Sequence, residues 1–188
     1  DVLVDGVSVG AVGSYTFTAL GANHTIAASF SLISYTITAS AGTGGSISPS
    51  GSVSADCGTT PTFTITPDAC YAIADVLVDG VSVGAVGSYT FTALGANHTI
   101  AASFTLNSYT ITVSAGANGS ITPGTGSVNC GDNATYTITA DPGYVVSDVI
   151  VDGVSQGAVG SYTFTNVTAP HNISASFILD AFTITSSA

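Results

Sequence analysis

Three G-x-S-x-G stretches, centred on Ser8, Ser82 and Ser155, are the parts of this 188-residue chain that most resemble a catalytic motif. In hydrolases with this motif, the serine occupies a strained turn between a strand and a helix. Here each match follows a hairpin signal and runs into the strand-forming stretch Ser-Tyr-Thr-Phe, with no helix pattern after it. We therefore interpret the serines as hairpin residues and predict that the chain is not an enzyme.

Paired aspartates are the second candidate for chemistry, at Asp75 with Asp79 and at Asp148 with Asp152. Paired carboxylates perform acid–base catalysis in glycosidases, and clustered carboxylates can bind Ca²⁺. The second member of each pair precedes a glycine between Val-rich runs, which is a strong signal for a two-residue hairpin turn. We predict no cofactor and no metal ligands, with a weak Ca²⁺ site as the alternative, and we predict turns at Asp5-Gly6, Asp79-Gly80 and Asp152-Gly153.

One histidine stands just before the closing strand of each copy, at His24, His98 and His171. A single histidine per copy, far in sequence from any cysteine or second histidine, is a poor metal-ligand set. We therefore interpret these histidines as structural residues of a turn.

The three cysteines suggest one disulfide bond. Cys57 and Cys70 bracket a single strand with its flanking turns, and a bridge closing that loop would contribute about 3 kcal/mol. Cys130 occupies the place of Cys57 in the next copy, but Gly143 stands where Cys70 stood. We therefore predict a Cys57–Cys70 disulfide and an unpaired thiol at Cys130. Paired cysteines also favour an oxidising compartment outside the cytoplasm.

Internal repetition organises these residues. The stretch 1–30 recurs letter for letter at 75–104, and an edited third copy begins at Asp148. We divide the chain into the C-terminal half of a repeat, two complete repeats of about 73 residues and the first strand of a further repeat, at 1–33, 34–107, 108–180 and 181–188. The two ends are incomplete in a complementary sense. The expected partners are therefore copies of this chain or flanking repeats, arranged head to tail.

The hydrophobic pattern has a period of two almost everywhere, as in Tyr-Thr-Ile-Thr-Val at 109–113. Such alternation is typical of strands with one face in a core and the other in water. We therefore predict an all-β linear array of small β-sandwich-like or β-grasp-like modules, each with about six short strands.

Composition narrows the partners further. The chain has no Lys or Arg and a net charge of −11, so it cannot neutralise phosphates and we expect no nucleic-acid binding. No apolar run approaches the ~20 residues of a membrane span, so we expect no membrane insertion. Glycans are a candidate partner, with N-x-[ST] sequons at Asn23, Asn97, Asn118, Asn133, Asn166 and Asn172, although chance accounts for most sequons in a chain so rich in Ser and Thr.

The order of motifs carries a family resemblance. Tyr-Thr-Ile-Thr-x-Ser-Ala-Gly is followed by Gly-Ser-Ile-x-Pro, a Cys-Gly step, Asp-Val-x-Val-Asp-Gly-Val-Ser-x-Gly-Ala-Val-Gly-Ser-Tyr-Thr-Phe and His-x-Ile-x-Ala-Ser-Phe. This order resembles the divergent internalin-type B repeats across the whole chain. The resemblance implies a compact β-grasp-like fold and tandem arrays in secreted or cell-surface bacterial proteins, and it implies no shared catalytic residues.

Two functions remain as hypotheses. The first is a structural extracellular segment, acting as a stalk, adhesin shaft or filament building block. The alternative is a binding module that recognises carbohydrate or a host or cell-surface protein through strand faces or Gly-rich loops. The chain has no Trp to stack on a sugar, which favours the structural hypothesis.

Overall fold

The computed structural model describes residues 1–181, all of them in strands, turns or irregular segments. The all-β prediction and the tandem arrangement of two repeats of about 73 residues are confirmed. No helix in this part of the chain has the length and apolar character needed to cross a membrane. The first strand expected at 181–188 lies, apart from Ala181, outside the described residues.

The half-repeat at the start forms a small antiparallel sheet of three strands in the order β2-β1-β3. A two-residue turn joins β1 to β2, and β3 pairs with the other edge of β1. The strand bounds are β1 Val2–Val4, β2 Val7–Gly10 and β3 Ile26–Ala28.

The first complete repeat folds into two sheets. Its eight strands are β4 Ser34–Ala41, β5 Gly45–Ser48, β6 Gly51–Asp56, β7 Thr62–Pro67, β8 Tyr71–Val78, β9 Val81–Ser82, β10 Ser88–Thr90 and β11 His98–Leu106. One sheet has five strands in the order β6-β4-β11-β8-β9, and the other has three in the order β10-β7-β5. The structure thus has eight strands per repeat where six were expected; the shortest are β9, of two residues, and β10, of three.

The second complete repeat has the same plan. Its strands are β12 Ser108–Ala115, β13 Gly119–Thr122, β14 Gly126–Asn129, β15 Ala134–Ala140, β16 Tyr144–Val151, β17 Val154–Ser155, β18 Ser161–Phe164 and β19 His171–Leu179. They form a five-stranded sheet in the order β14-β12-β19-β16-β17 and a three-stranded sheet in the order β13-β15-β18.

Each repeat has its own core between its two sheets. Alternate residues of β7 are buried while the threonines between them face water, as the period of two predicts. The core of the first repeat joins Ile37, Val76 and Ile100 of the large sheet to Phe63 and Ile65 of the small one. The second core uses the equivalent residues, with Tyr136 in the place of Phe63.

Two neighbouring parallel strands lie in the middle of each large sheet, and they determine where the chain enters and leaves the repeat. β4 and β11 run parallel, with Ile37 opposite His98 and Ala41 opposite Ala102. The chain therefore enters a repeat at one end of the sheet, where β4 begins, and leaves it at the other end, where β11 finishes. The nine residues of β11 alone span roughly 30 Å at ~3.3 Å per residue.

Candidate functional site

The Asp-Gly hairpin is the first site where polar side chains meet. Asp79 and Gly80 form a two-residue turn with φ of 50° and 79°, and Val78 lies opposite Val81 across it. Positive φ at both turn residues is the type I′ geometry, which matches the twist of the flanking strands. The structure places the same turn at Asp5-Gly6 and Asp152-Gly153.

The turn aspartate also ties the hairpin to the strand that closes the repeat. The backbone amide of Thr99 donates to Asp79 Oδ1 at 2.8 Å, and Asp79 Oδ2 lies 2.7 Å from His98 Nδ1. An ionised carboxylate only accepts hydrogen bonds, so Nδ1 carries the proton in this pair. The His98 ring also packs against Phe91, with centroids 5.0 Å apart. We call this arrangement the Asp–His clasp.

The clasp recurs in all three copies and lowers the pKa of each aspartate. The Thr99 amide and then His98 hold the pKa of Asp79 below its ordinary 3.8. His24 and then the Thr25 amide do the same for Asp5. At the third copy, burial raises the pKa of Asp152, but hydrogen bonds from the Asn172 amide and His171 outweigh it and the net shift is downward.

The serine of each G-x-S-x-G stretch is hydrogen-bonded to an aspartate other than the one in the turn. Ser82 Oγ donates to Asp75 Oδ1 at 2.6 Å and accepts from the Gly84 amide at 3.2 Å. Within residues 1–181, no hydrogen bond joins one of these serines to a histidine, and His98 is engaged by Asp79 instead. The serine is therefore not paired with the histidine that serves as the base in a Ser-His-Asp triad. It fixes the two arms of the hairpin together.

The aspartates considered for Ca²⁺ are engaged with serine, histidine and backbone amides. In the described part of the chain, no three His, Cys, Asp or Glu side chains gather closely enough to hold a metal ion. Weak Ca²⁺ binding stays a prediction from the sequence.

The junction between the two complete repeats is the second site. Asn107 is the single residue between β11 and β12, and its amide donates to the carbonyl of Cys70 at 2.8 Å. The carbonyl of Asn107 accepts from the amide of Cys130 at 2.9 Å. Cys70 and Cys130 are joined by a disulfide, with their Cα atoms 5.4 Å apart. Three residues thus link the end of one repeat to the start of the next through two hydrogen bonds and a covalent bond.

The predictions of a Cys57–Cys70 bridge and of an unpaired Cys130 are therefore wrong in this structure, where Cys57 is the free, exposed cysteine. Cys57 lies at the entry end of its repeat, since its amide bonds to the carbonyl of Ile33. Cys70 lies at the exit end, beside Asn107. The length of β11 separates the two ends, whereas disulfide geometry requires Cα atoms within ~7 Å.

Each of the other two junctions shows one of these two backbone hydrogen bonds, and neither has the disulfide. At the first junction, Ile33 takes the place of Asn107 and accepts from the Cys57 amide at 2.8 Å. At the last, the Asp180 amide donates to the Gly143 carbonyl at 2.8 Å, and Gly143 has no side chain to offer. Each outer junction thus keeps one of the two hydrogen bonds of the central junction, and among the described residues only the central junction has a cysteine on both sides.

The half-repeat at 1–33 leaves a core-type face open. Ile26 is 55% exposed and Phe30 is 96% exposed, although both are in strand or strand-end positions of the repeat. A cavity of about 480 Å³ opens on this side and is lined by residues that include Val2, Val12 and Tyr15. We call this surface the open face.

Sequence reasoning missed both the clasp and the junction partner. The clasp has a detectable signal, because Asp and His are separated by 19 residues in every copy. The junction has a weaker one, since the two cysteines that pair stand on either side of a repeat boundary rather than within one repeat.

Comparison with known protein families finds two adjacent matches in this chain. A family profile described as "Divergent InlB B-repeat domain" matches residues 35–108 and 109–181 in tandem. The chain belongs to this family. The predicted resemblance to divergent internalin-type B repeats is confirmed. No curated protein and no solved structure matches the chain.

Proposed function

We propose that this B-repeat chain is a structural segment of an extracellular or cell-surface protein, a stalk, adhesin shaft or filament building block whose repeats join head to tail. The observation that carries the proposal is the junction at Asn107, where consecutive repeats share two backbone hydrogen bonds and the Cys70–Cys130 disulfide. A covalent tie between neighbours resists separation of the repeats under load, which is what a stalk requires.

The entry and exit ends of each repeat support an extended arrangement. Because β4 and β11 are parallel, the chain enters and leaves at opposite ends of the large sheet. Each repeat therefore adds length along its strands instead of folding back on the previous one. The register of β4 with β11 places Ile33 level with Leu94, and the advance from Leu94 to Asn107 gives an increment of roughly 40 Å at ~3.3 Å per residue.

The location outside the cytoplasm rests on the disulfide and on family membership. Disulfides persist in oxidising compartments and are rare in the cytosol. The absence of Lys and Arg from the sequence adds a useful property, because trypsin-like proteases find no cleavage site in it.

A non-enzymatic role is part of the proposal. Its support is the local use of the candidate groups: Ser82 is bound by Asp75, and His98 is bound by Asp79. Both side chains act within the hairpin that closes the repeat, and neither is directed at a shared reaction centre.

Small-angle X-ray scattering on a length series tests the structural role. The series consists of the chain itself and two versions in which one or two extra copies of 34–107 follow Asn107. We expect the maximum dimension to rise by a constant step of roughly 40 Å per copy. A maximum dimension that grows only slowly, as the cube root of the mass, would mean that repeats pack side by side and would overturn the proposal.

A further inference from the structure

The residues of the open face recur in an identical stretch of sequence that is packed against other strands in this structure. Residues 75–104 have the same sequence as 1–30, and there strands from 35–67 complete the core. Ile26 corresponds to Ile100, which is fully buried, and Leu20 corresponds to Leu94, which is 2% exposed. The molecule thus shows which chain segment fits this face.

We propose that the open face receives the front half of a repeat with the sequence pattern of residues 34–74, and that Cys57 is the residue to which this incoming half is covalently tied. The proposal deepens the head-to-tail assembly proposed above and rests on it. It assigns a specific partner to the face and a specific reaction to the one free cysteine among the described residues.

The polar groups needed for docking are present at the open face. In the complete repeat, the Thr36 amide donates to Asn97 Oδ1 at 2.8 Å, and the equivalent of Asn97 at the open face is Asn23. The Leu94 amide donates to the Thr59 carbonyl at 3.0 Å, and the equivalent of Leu94 is Leu20. An incoming segment would therefore find the same backbone and side-chain partners that 34–67 finds at 75–104.

Apolar complementarity is equally specific. Phe104 packs against the core of the first repeat, directly over Gly45, where even a Cβ atom would overlap its ring. Phe30 is the equivalent ring on the open face and has no such cover. The glycine of the incoming segment would lie over Phe30, and a segment without a glycine there would not fit.

Cys57 occupies the position that Cys130 occupies at the next junction. Its amide bonds to Ile33 as the Cys130 amide bonds to Asn107. An incoming half would place its own cysteine, equivalent to Cys70, on the other side of Ile33. The Cys70–Cys130 pair shows that these two positions lie within disulfide reach, with Cα atoms 5.4 Å apart.

The bond would form by thiol–disulfide exchange with a small-molecule disulfide as the oxidant. The Cys57 thiolate attacks one oxidant sulfur, forms a mixed disulfide and releases one thiol. The incoming cysteine then attacks the Cys57 sulfur, forms the protein disulfide and releases the second thiol. Two protein thiols lose two electrons and two protons in total, and the oxidant is reduced to two thiols.

The test joins a copy of 34–74 ahead of Asp1 in the full chain, so that it runs into 1–33 as 34–74 runs into 75–107. The added copy carries Cys57→Ser, to remove its own entry cysteine, and Ala74→Ser, at an exposed position, as a mass tag. After oxidation with glutathione disulfide, cleavage before Asp residues releases the tagged cysteine peptide. We expect it to be linked to peptide 56–67, which contains Cys57.

A matched control carries Cys70→Gly in the added copy, the residue that Gly143 presents in the second repeat. In this control, Cys57 should stay fully open to alkylation.

Hydrogen exchange at Ile26 distinguishes docking of the incoming half from formation of the disulfide at Cys57. We expect the Ile26 amide to gain protection approaching that of Ile100 once the copy is added. A protected Ile26 with a freely alkylated Cys57 would overturn the covalent tie, and an unprotected Ile26 would overturn the docking. If the Ile26 amide is already protected in the original chain and the chain forms dimers, the open faces of two copies cover each other. That result would also overturn the docking of a front half. The scattering series reports on head-to-tail growth independently of Cys57.

Discussion

Residues 1–30 and 75–104 allow the same sequence to be compared in two environments within one molecule. In both, the Asp-Gly turn has the same positive φ angles, and the strands pair in the same register, with Val4 opposite Ile26 and Val78 opposite Ile100. The clasp distance is 2.7 Å in each copy. These features depend on contacts within the stretch itself, so they form wherever the stretch occurs.

The burial of the core-side residues differs strongly between the two copies. Leu20 is 73% exposed while its equivalent Leu94 is 2% exposed. The strands that cover Leu94 and Ile100 belong to residues 35–67, and no described segment covers Leu20 and Ile26 in that way. The hairpin is therefore specified locally, whereas the core is specified by the pairing of two halves of a repeat.

The largest predicted contrast comes from the same substitution at the two equivalent isoleucines. Ile100→Ala should lower the free energy of unfolding by about 2–5 kcal/mol, because it leaves a cavity in a full core. Ile26→Ala should change it by less than about 0.5 kcal/mol, since that side chain is half exposed. Urea denaturation of the two variants measures both values. Equal effects would show that the open face is covered in solution.

The next contrast concerns the covalent junction. Cys130→Ser should cost about 2–4 kcal/mol of stability, because the lost bridge constrains a long stretch of unfolded chain. Cys57→Ser removes a free thiol and should have almost no effect. Thermal unfolding by calorimetry compares them. If Cys57→Ser lowered the stability more than Cys130→Ser, the assignment of the bridge to Cys70 and Cys130 would be wrong.

A smaller effect is expected from the close approach of Phe104 to Gly45. Gly45→Ala forces a Cβ atom into the Phe104 ring and should destabilise the first repeat by about 1–3 kcal/mol. Gly87→Ala is the matched control, since no heavy atom lies within 4 Å of the added Cβ. Chemical denaturation should separate the two. A loss no greater than that of the control would show that the ring moves aside freely.

The smallest effect concerns pH. The pKa of Asp79 is below 3.8 in the folded state, so its clasp contributes stability above that pH and loses it as the pH falls through the lowered value. Asp79→Asn, which suits a turn position, should reduce the fall in urea midpoint between pH 5 and about pH 2.5. Asp5→Asn should alter that fall less, because 1–30 has no core to lose. A pH response unchanged by Asp79→Asn would contradict the role of the clasp.

The features that follow from the sequence are those determined over a few residues. Alternation identifies the strands, and the Asp-Gly steps identify the hairpins. The family resemblance carried by the motif order is confirmed as well. The serines of the G-x-S-x-G stretches also fit the hairpin interpretation, because Ser82 is held by Asp75 within the same hairpin.

The disulfide could not be deduced in the same way. Spacing along the chain made Cys57 and Cys70 look like partners, but their distance depends on the direction in which β4 and β11 pair. The parallel pairing joins segments about sixty residues apart and places the two cysteines at opposite ends of the repeat. Long-range pairing of this kind leaves no local pattern in the sequence.

A disulfide map of the oxidised chain shows whether consecutive repeats are tied at their junction by Cys70 and Cys130. Cleavage before each Asp places Cys57, Cys70 and Cys130 in three different peptides, 56–67, 68–74 and 79–131. Mass analysis after alkylation without reduction should find 68–74 linked to 79–131 and 56–67 alkylated. A link between 56–67 and 68–74, with alkylated Cys130, would contradict the tie between repeats.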